Sequence, residues 1–324
     1  MRTLILLLAL IAGGAHAQQK PEDRAGAYPN RPVRIVVMVP AGGSVDSVTR
    51  AMAYPMSQHI GVSIVVDNRA GGTGTIALNI LRQSAPDGYT LLSAGNTIIV
   101  TGVLGKVSFD LTTALEPVVQ MTSGAYVVTV NAALPVSSLK ELATYAKSKP
   151  NALSYGSPGI GSIIHLGTEQ LAQALGGLRI VHVPYKGNSF AIVDLLAGRI
   201  ELLLAAAGVA NHIKSGKLKA LAVTSRHRMQ AFPDLPTLAE AGVQNVVLEN
   251  AYGLYAPAGV PRTVVSTLNR EVTLAMNSPE VRDKISADGA EPTAPHAASE
   301  FKASFIAQYQ QWKRFIKTSN IALE

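Results

Sequence analysis

Short apolar runs alternate with longer amphipathic stretches along the first part of the chain. The run VRIVVMV, which begins at Val33, is rich in β-branched residues, and the helix-like stretch VDSVTRAMAYPMSQHIG follows it. Two more strand-like runs, VSIVVDN and YTLLSAG, flank the helix-like segment TIALNILRQSA. Strands that alternate with helices at this spacing are typical of βαβ units. The pattern predicts an α/β protein with parallel-type sheets.

The alternation of strand-like and helix-like segments resumes in the second part of the chain. The amphipathic segment SSLKELATYAKSKP predicts a helix with Ser137 or Ser138 as its N-cap. Four strand-like runs follow it, namely ALSYGS, RIVHVPY, IELLLAA and LKALAVTS, and helix-like segments separate them. The pattern is helical from Pro261 to the end of the chain. The chain therefore contains two α/β blocks.

Two extended runs, AYVVTVN (125–131) and ENAYGLYAP (249–257), lie on either side of the second block. We interpret them as connecting strands that cross between two domains, so that the second domain is an insertion in the first. The predicted boundaries are 31–122 with 255–324 for domain 1, and 123–254 for domain 2. Two crossing strands would form a hinge beside an interdomain cleft, and small ligands favour such clefts.

The first residues have the features of a secretory signal peptide. Arg2 precedes the apolar run Leu4–Ala12, and Ala15, His16 and Ala17 fit the A-x-A cleavage pattern. An uncleaved anchor would need about 20 apolar residues to cross a bilayer. We therefore expect residues 1–17 to be removed by cleavage after Ala17. The polar, proline-containing residues 18–30 are interpreted as an N-terminal arm.

Composition narrows the possible partners. The chain has 324 residues, enough for two domains, and no cysteine, so an exported form depends on a packed core rather than on disulfides. The formal charge is +7. The basic residues are scattered and lack interleaved aromatic residues, so we expect no nucleic-acid partner. The charge fits an acidic small molecule, and it equally fits simple surface solubility.

Four glycine-rich turns each follow a strand-like run and precede a helix-like one. They are VPAGGSVD (39–46), NRAGGTGT (68–75), AGNT (94–97) and GSPGIGS (156–162). All four are thus predicted at the carboxyl ends of strands, where open α/β sheets bind ligands. Glycine allows close approach to the backbone, and a helix start presents unpaired N–H groups and partial positive charge. The turns predict an anion-binding site.

Asp46 allows two interpretations. As an N-cap or first-turn acid it would stabilise its own helix. It could also hold the N–H groups of the preceding loop towards the cleft, or meet a donor on the ligand. The sequence leaves these alternatives open.

The sequence contains no strong motif for nucleotide, metal or hydrolase chemistry. No Gly-Lys-Ser/Thr follows any glycine turn, and GSPGIG has the wrong order for a dinucleotide fingerprint. The histidines show no HxxxH or HExxH spacing, so we expect neither a metal nor a cofactor. The YGSPG stretch lacks the first glycine of a nucleophile elbow. Ser157 could still pair with His165 in a Ser-dependent hydrolase, although His165 has the position of a packing or capping residue.

Blocks along the whole chain carry a resemblance to a known family. They are YPNRPVRIVVMVPAGGSVDSVTR, NRAGGTGT, APDGYTLL, LSYGSPGIGSIIHL, VHVPYKG, GKLKALAVTS, PDLPTLAEAG and LYAPAGVP, in that order. From Tyr28 to about Lys317 the chain resembles the tripartite tricarboxylate transporter receptors, also called Bug proteins. The resemblance implies a two-domain, type II periplasmic binding protein of the Venus-flytrap kind.

The same resemblance implies function and partners. A monomeric receptor in the periplasm would close on a small organic acid and deliver it to membrane transporter subunits of the tripartite tricarboxylate type. A ligand sensor that docks on a signalling protein is an alternative, because it would use the same closed shape. Neither reading requires catalysis.

The resemblance also implies which residues contact the ligand. One lobe would contribute Ala41, Gly42, Gly43, Ser44 and Asp46, with Gly95, Asn96 and Thr97 at a further turn. The other lobe would contribute Ser157, Gly161 and Ser162, with His165 behind them, and Ala205. Where many relatives read MFD, this chain has Leu204 and Ala205, which speaks against an amino acid and for an aliphatic or aromatic carboxylate.

Overall fold

The computed structural model describes residues 28–206, 209–229, 231–287 and 290–318. The predicted signal peptide and residues 18–27 of the predicted arm lie outside these ranges. Residues 28–30, which the sequence assigned to the arm, pack on the body of the protein. The Tyr28 hydroxyl donates to the Gly88 carbonyl at 2.7 Å, and its ring meets the Tyr89 ring edge-on at 5.1 Å. These three residues therefore belong to the first lobe.

The described chain forms strands and helices in the predicted alternation. The strands are Val33–Val37 (β1), Ile64–Asn68 (β2), Thr90–Gly95 (β3), Leu115–Ser123 (β4), Tyr126–Asn131 (β5), Ser154–Ser157 (β6), Val181–Pro184 (β7), Leu202–Ala206 (β8), Leu218–Val223 (β9), Tyr252–Pro257 (β10) and Glu291–Pro292 (β11). The helices are Ser44–Ile60 (α1), Thr75–Gln83 (α2), Thr97–Val103 (α3), Leu111–Ala114 (α4), Leu139–Ser148 (α5), Ile163–Ala174 (α6), Asn188–Leu196 (α7), Ala210–Lys214 (α8), Arg262–Met276 (α9), Pro279–Ala287 (α10) and Ala298–Thr318 (α11).

The strands form two sheets with the same internal pattern. The first has the order β11-β4-β10-β3-β1-β2 and the second the order β7-β6-β8-β5-β9. In each sheet three neighbouring strands are parallel, and one antiparallel strand separates them from the next strand. That antiparallel strand is β10 in the first sheet and β5 in the second. The α/β fold with two lobes is confirmed, and each sheet is mixed rather than purely parallel.

The two extended runs are strands within the sheets and not only connectors. β5 pairs with β8 and β9, and β10 pairs with β3 and β4. The crossing between lobes is confined to the short stretches beside them, where Ala125 forms an antiparallel bridge with Glu249 and the Asn250 amide donates to the Gly124 carbonyl at 2.9 Å. The chain thus crosses twice, side by side, at a two-stranded hinge.

Helices cover both faces of the first sheet. α1, α9 and α10 share one apolar core with β1, and α2, α3 and α11 pack on the opposite face. The C-terminal helix belongs to this lobe, because Tyr255 of β10 contacts Phe301 and Phe305 at ring distances of 5.4 and 5.6 Å. The residue boundaries 31–122, 123–254 and 255–324 stay a prediction, since sheet membership does not fix where a domain ends.

Register places the carboxyl ends of the parallel strands level with one another. Val37, the last residue of β1, is opposite Asn68 in β2 and opposite Ser93 in β3. In the second sheet Ser157, the last residue of β6, is opposite Pro184 of β7. The loops that follow these strands therefore emerge together at one edge of each sheet.

Candidate functional site

The glycine-rich loops of the two lobes face each other and touch. The Lys106 ammonium of the first lobe donates to the Ile160 carbonyl of the second at 2.5 Å. A Cβ placed on Gly161 would lie only 2.5 Å from the Leu104 Cδ1 atom, so these loops are already in close contact. Further facing pairs are Thr73 with Gly159 and Pro40 with Gly187. These contacts define an interlobe cleft at the carboxyl ends of the parallel strands.

Backbone amides of the loop between β1 and α1 form hydrogen bonds that fix its shape. Gly42 has φ +81°, a conformation that favours glycine, and its amide donates to the Asp46 carboxylate at 2.8 Å. The Gly43 amide donates to the Pro40 carbonyl at 3.1 Å. The two glycines therefore shape the turn. The open donors at this helix start are the amides of Ser44, Val45 and Asp46, because the first N–H groups of a helix have no intrahelical acceptor and the first such bond runs from Ser47 to Gly43.

Asp46 lies beneath this loop and is 2% exposed. Besides the Gly42 amide it accepts hydrogen bonds from the Arg50 Nε atom and the Asn68 amide, both at 2.9 Å. Burial acts to raise the pKa of Asp46, but the donors outweigh it and hold the pKa below its usual range. Gly43 is the N-cap of α1, so Asp46 is a first-turn acid that also fixes the loop.

The turn between β3 and α3 contains Gly95, Asn96 and Thr97. Asn96 is at the N-cap position, yet its side chain makes no capping bond. Its amide group donates to the Glu249 carbonyl at 3.3 Å and to the Gln308 side chain at 3.0 Å. Asn96 therefore connects this edge of the cleft to the hinge.

The loop between β6 and α6 carries the second set of predicted residues. The Ser162 hydroxyl caps α6 by accepting a bond from the His165 amide at 3.2 Å. The Gly161 amide donates to the His165 Nδ1 atom at 3.0 Å. Burial, followed by the neighbouring His182, lowers the pKa of His165 to about 4. His165 is therefore a neutral acceptor that holds the glycine loop.

His182 is the residue that the sequence analysis missed. Its Nε2 atom lies 2.6 Å from the Ser157 Oγ atom, and its ring stacks on Tyr155 at 4.9 Å and on His165 at 4.1 Å. Burial lowers the pKa of His182 to about 4. Ser157 thus pairs with His182 and not with His165. The available signal was the position of both residues near the ends of neighbouring strands.

The Ser157–His182 pair is not arranged as a nucleophile and base. Ser157 has no exposed surface. Among the hydrogen bonds of the described residues, none joins His182 to a carboxylate that would orient it as a base. The same part of the chain contains no group of three or more His, Cys, Asp or Glu side chains that could hold a metal ion. The geometry resembles a rigid support for the loop.

Ala205 lies within the sheet rather than at the cleft surface. It belongs to β8, is completely buried and pairs with Val127 of β5. Leu204 beside it is also completely buried. These positions give the second lobe an apolar base below its loops.

Helix starts contribute positive potential to the cleft. α1, α2, α3 and α7 begin after Gly43, Gly74, Asn96 and Gly187 without a side-chain capping bond, whereas α6, which also starts at the cleft, is capped by Ser162. An uncapped start keeps its N–H groups and partial positive charge available for an anion. At the start of α7 the Asn188 Oδ1 atom is buried with no partner within the described structure.

A separate cavity of about 350 Å³ lies on the first lobe. It is lined by residues that include Arg82, Phe109 and Pro257. It opens near the amino end of β4 and the carboxyl end of β10, opposite the edge where the glycine-rich loops emerge. Since only one cation lines it and none of the loops reaches it, the cleft is the stronger candidate for an anion site.

No helix within the described ranges has both the length and the apolar composition that crossing a membrane requires.

Comparison with known proteins identifies relatives over nearly the whole chain. The family described as "Tripartite tricarboxylate transporter family receptor" matches residues 48–321. Protein BugT of Bordetella pertussis is 33% identical over 93% of this chain and 93% of its own. Among solved structures, R. palustris Rpa4515 with adipate is 32% identical, with a TM-score of 0.84, over 91% of this chain and 99% of the other. The periplasmic binding protein BugD is 31% identical, with a TM-score of 0.80, over 90% and 98%. The chain belongs to the family of tripartite tricarboxylate transporter receptors.

Proposed function

We propose that the protein is a periplasmic receptor that captures a small organic acid in the interlobe cleft and delivers it to a transporter of the tripartite tricarboxylate type. One observation carries this proposal: α1 of the first lobe and α7 of the second start without a side-chain cap beside loops that touch across the cleft. Helix starts bind carboxylates through fixed N–H donors, with no need for a paired lysine or arginine.

Ligand contacts are expected from both lobes. The amides of Ser44 and Val45, with the loop at Ala41, would bind one carboxylate. The loop that contains Ser157, Gly161 and Ser162 would close from the other side, and Gly95 and Thr97 would border the site. The closed form makes both sets of contacts at once, so the ligand stabilises it. Because one chain supplies both halves of the cleft, a monomer is sufficient.

The proposed class of ligand rests on the apolar strand below the loops of the second lobe and on a related structure. The second lobe has the apolar residues Leu204 and Ala205 in the strand below its loops, so these two positions offer no carboxylate to a ligand ammonium group. The similar R. palustris protein was solved with adipate, an aliphatic diacid. We propose an aliphatic or aromatic carboxylate rather than an amino acid.

Catalysis is not part of the proposed function. Ser157, whose hydroxyl is paired with His182, is completely buried, and the related BugD is described as a binding protein. The mature protein should release no product from a panel of esters. Turnover that disappears in Ser157→Ala would instead support a hydrolase.

The test is a thermal-shift and calorimetry screen of the mature protein against mono-, di- and tricarboxylates, aromatic acids and amino acids. One class of acid should raise the melting temperature with dose, because a ligand that binds only the folded state stabilises it. The protein should first be denatured and refolded, so that a ligand carried through purification cannot mask binding. A refolded protein that responds to none of the acids would contradict the proposal.

A further inference from the structure

Lys106 lies at the rim of the cleft, on the loop between α3 and α4 of the first lobe. Its ammonium group donates to the Ile160 carbonyl of the second lobe at 2.5 Å. Away from the hinge, this is the hydrogen bond within the described structure that joins the two facing loops. Leu104, two residues earlier, packs against Gly161. The loop 104–106 therefore touches the loop 159–161 across the cleft.

The charge of Lys106 has no acidic partner. Its acceptor is a neutral carbonyl, and none of the ion pairs among the described residues includes it. Burial lowers the pKa of the Lys106 ammonium, and its charge contributes to the lowered pKa of His165. The positive end of α6 begins at Ile163, close to the Ile160 carbonyl. Closing the empty cleft thus brings a cation towards a positive helix end.

We propose that Lys106 makes closure of the cleft depend on a bound anion. In the empty protein its charge opposes closure, because no carboxylate among the described residues pairs with it. A carboxylate held between the lobes supplies the missing negative charge, and the Lys106–Ile160 bond then holds the lobes together. This proposal deepens the proposed function and rests on it for the nature of the ligand. Lys106 acts as a positioning residue, since its role is to couple the ligand to the closed state.

Lys106→Gln separates the charge from the hydrogen bond. A glutamine amide keeps N–H donors, one bond nearer the backbone, but carries no charge, whereas Lys106→Arg keeps both the donors and the charge. Lys140→Gln, on the exposed side of α5 in the second lobe, removes an equal charge far from the facing loops and serves as the control. All three changes are at exposed positions, so folding should be preserved.

Closure can be measured directly because the chain has no cysteine. Gln58→Cys on α1 and Val193→Cys on α7 place two spin labels at exposed positions, one on each lobe. Pulsed electron–electron double resonance then reports the distance between the lobes. Without ligand, the Lys106→Gln protein should populate the short, closed distance more than the wild type. The Lys106→Arg and Lys140→Gln proteins should match the wild type. An unchanged or smaller closed fraction in unliganded Lys106→Gln would overturn the proposal.

The second test measures the affinity for adipate and for the other acids of the screen. Lys106→Gln should weaken binding about tenfold, mainly through faster dissociation. Equal affinity in Lys106→Gln and wild type would overturn the proposal even if the acid binds. If the wild type binds none of the acids, the proposed function fails. The unliganded distance measurement still decides the role of Lys106, so the two failures are distinguishable.

Discussion

Ser157 and His182 lie on neighbouring parallel strands, and their side chains share a hydrogen bond of 2.6 Å. The bond fixes the end of β6, from which the loop 157–162 leaves towards the cleft. The imidazole stacks on the Tyr155 ring at 4.9 Å and on the His165 ring at 4.1 Å, and both contacts restrict its movement away from the serine. His165 in turn accepts the Gly161 amide bond. A buried aromatic stack thus sets the position of the loop that faces the first lobe.

Ser157→Ala should weaken ligand binding, and we expect no enzymatic activity in either the wild type or the variant. The change removes the hydroxyl that pairs with the His182 Nε2 atom and that accepts the Gly159 amide bond at 3.2 Å. The end of β6 is thereby released, so the affinity for the best acid should fall about tenfold, equivalent to ~1.4 kcal/mol. Calorimetry measures the loss. Ser148→Ala, which removes an exposed hydroxyl on α5 bonded to the Tyr145 carbonyl, is the matched control. Equal affinities in the two variants would show that the Ser157–His182 bond does not position the loop.

Acid should destabilise the protein in a window set by the two stacked histidines. Their pKa is about 4 in the folded protein and 6.5 without burial, so between these values the unfolded chain binds protons that the folded protein does not. The free energy of unfolding should therefore fall as the pH falls from 6.5 to 4, by on the order of 2–4 kcal/mol. Denaturant titrations across this range measure the slope.

A variant isolates the contribution of His165 to that slope. The amide oxygen of His165→Asn can accept the Gly161 N–H bond, but it does not titrate. The variant should show about half of the pH dependence. His227→Gln, which changes an exposed histidine, should keep all of it. An unchanged slope in His165→Asn would assign the acid sensitivity to other groups.

The sequence predicted the alternation and the position of the loops because both depend on local signals. β-branched apolar runs and amphipathic periodicity specify strands and helices along the chain. The choice between Ser137 and Ser138 was also a local question. The structure decides for Ser138, which caps α5, while Ser137 bonds the Glu141 carboxylate from outside the helix.

Local sequence patterns did not predict which distant segments pair with one another. The largely apolar run AYVVTVN fits a connector and a central strand equally well, and only its pairing with β8 and β9 makes it a strand of the second sheet. Likewise His182 lies 25 residues after Ser157, so spacing along the chain favours the nearer His165. The roles of Asn96 and Asp46 depend on Gln308 and Asn68, partners that no spacing rule indicates.

Asp46→Asn tests whether the buried carboxylate holds the first glycine loop. An asparagine can keep one or two of the three donors around Asp46 but loses the charge that pairs with Arg50, so the free energy of unfolding should fall by about 2 kcal/mol. Affinity should fall as well, because the start of α1 would no longer be held in place. Asp234→Asn, at an exposed position, is the control for charge alone. Full stability in Asp46→Asn would contradict a loop held by this carboxylate.

Gly161→Ala should obstruct closure while leaving the lobes folded. Gly161 has φ +71°, and the added Cβ would lie 2.5 Å from the Leu104 Cδ1 atom of the opposite lobe. Opening the cleft relieves this contact, and in the closed form the Leu104 side chain and the Lys106 ammonium, 3.0 Å from the added Cβ, must both shift, so the affinity for the acid should fall by up to about tenfold. Calorimetry and the interlobe distance measurement report the two effects together.

Gly177→Ala is the matched control for that change. Gly177 follows the end of α6 with φ +73° and has no atom within 4 Å of an added Cβ, so the substitution introduces the same backbone strain without a steric clash. Both variants should therefore lose a similar amount of stability, about 1 kcal/mol. Only Gly161→Ala should lose affinity and shift the liganded protein towards the longer, open distance. Parallel losses of affinity in both variants would attribute the effect to strain in the backbone instead of contact between the lobes.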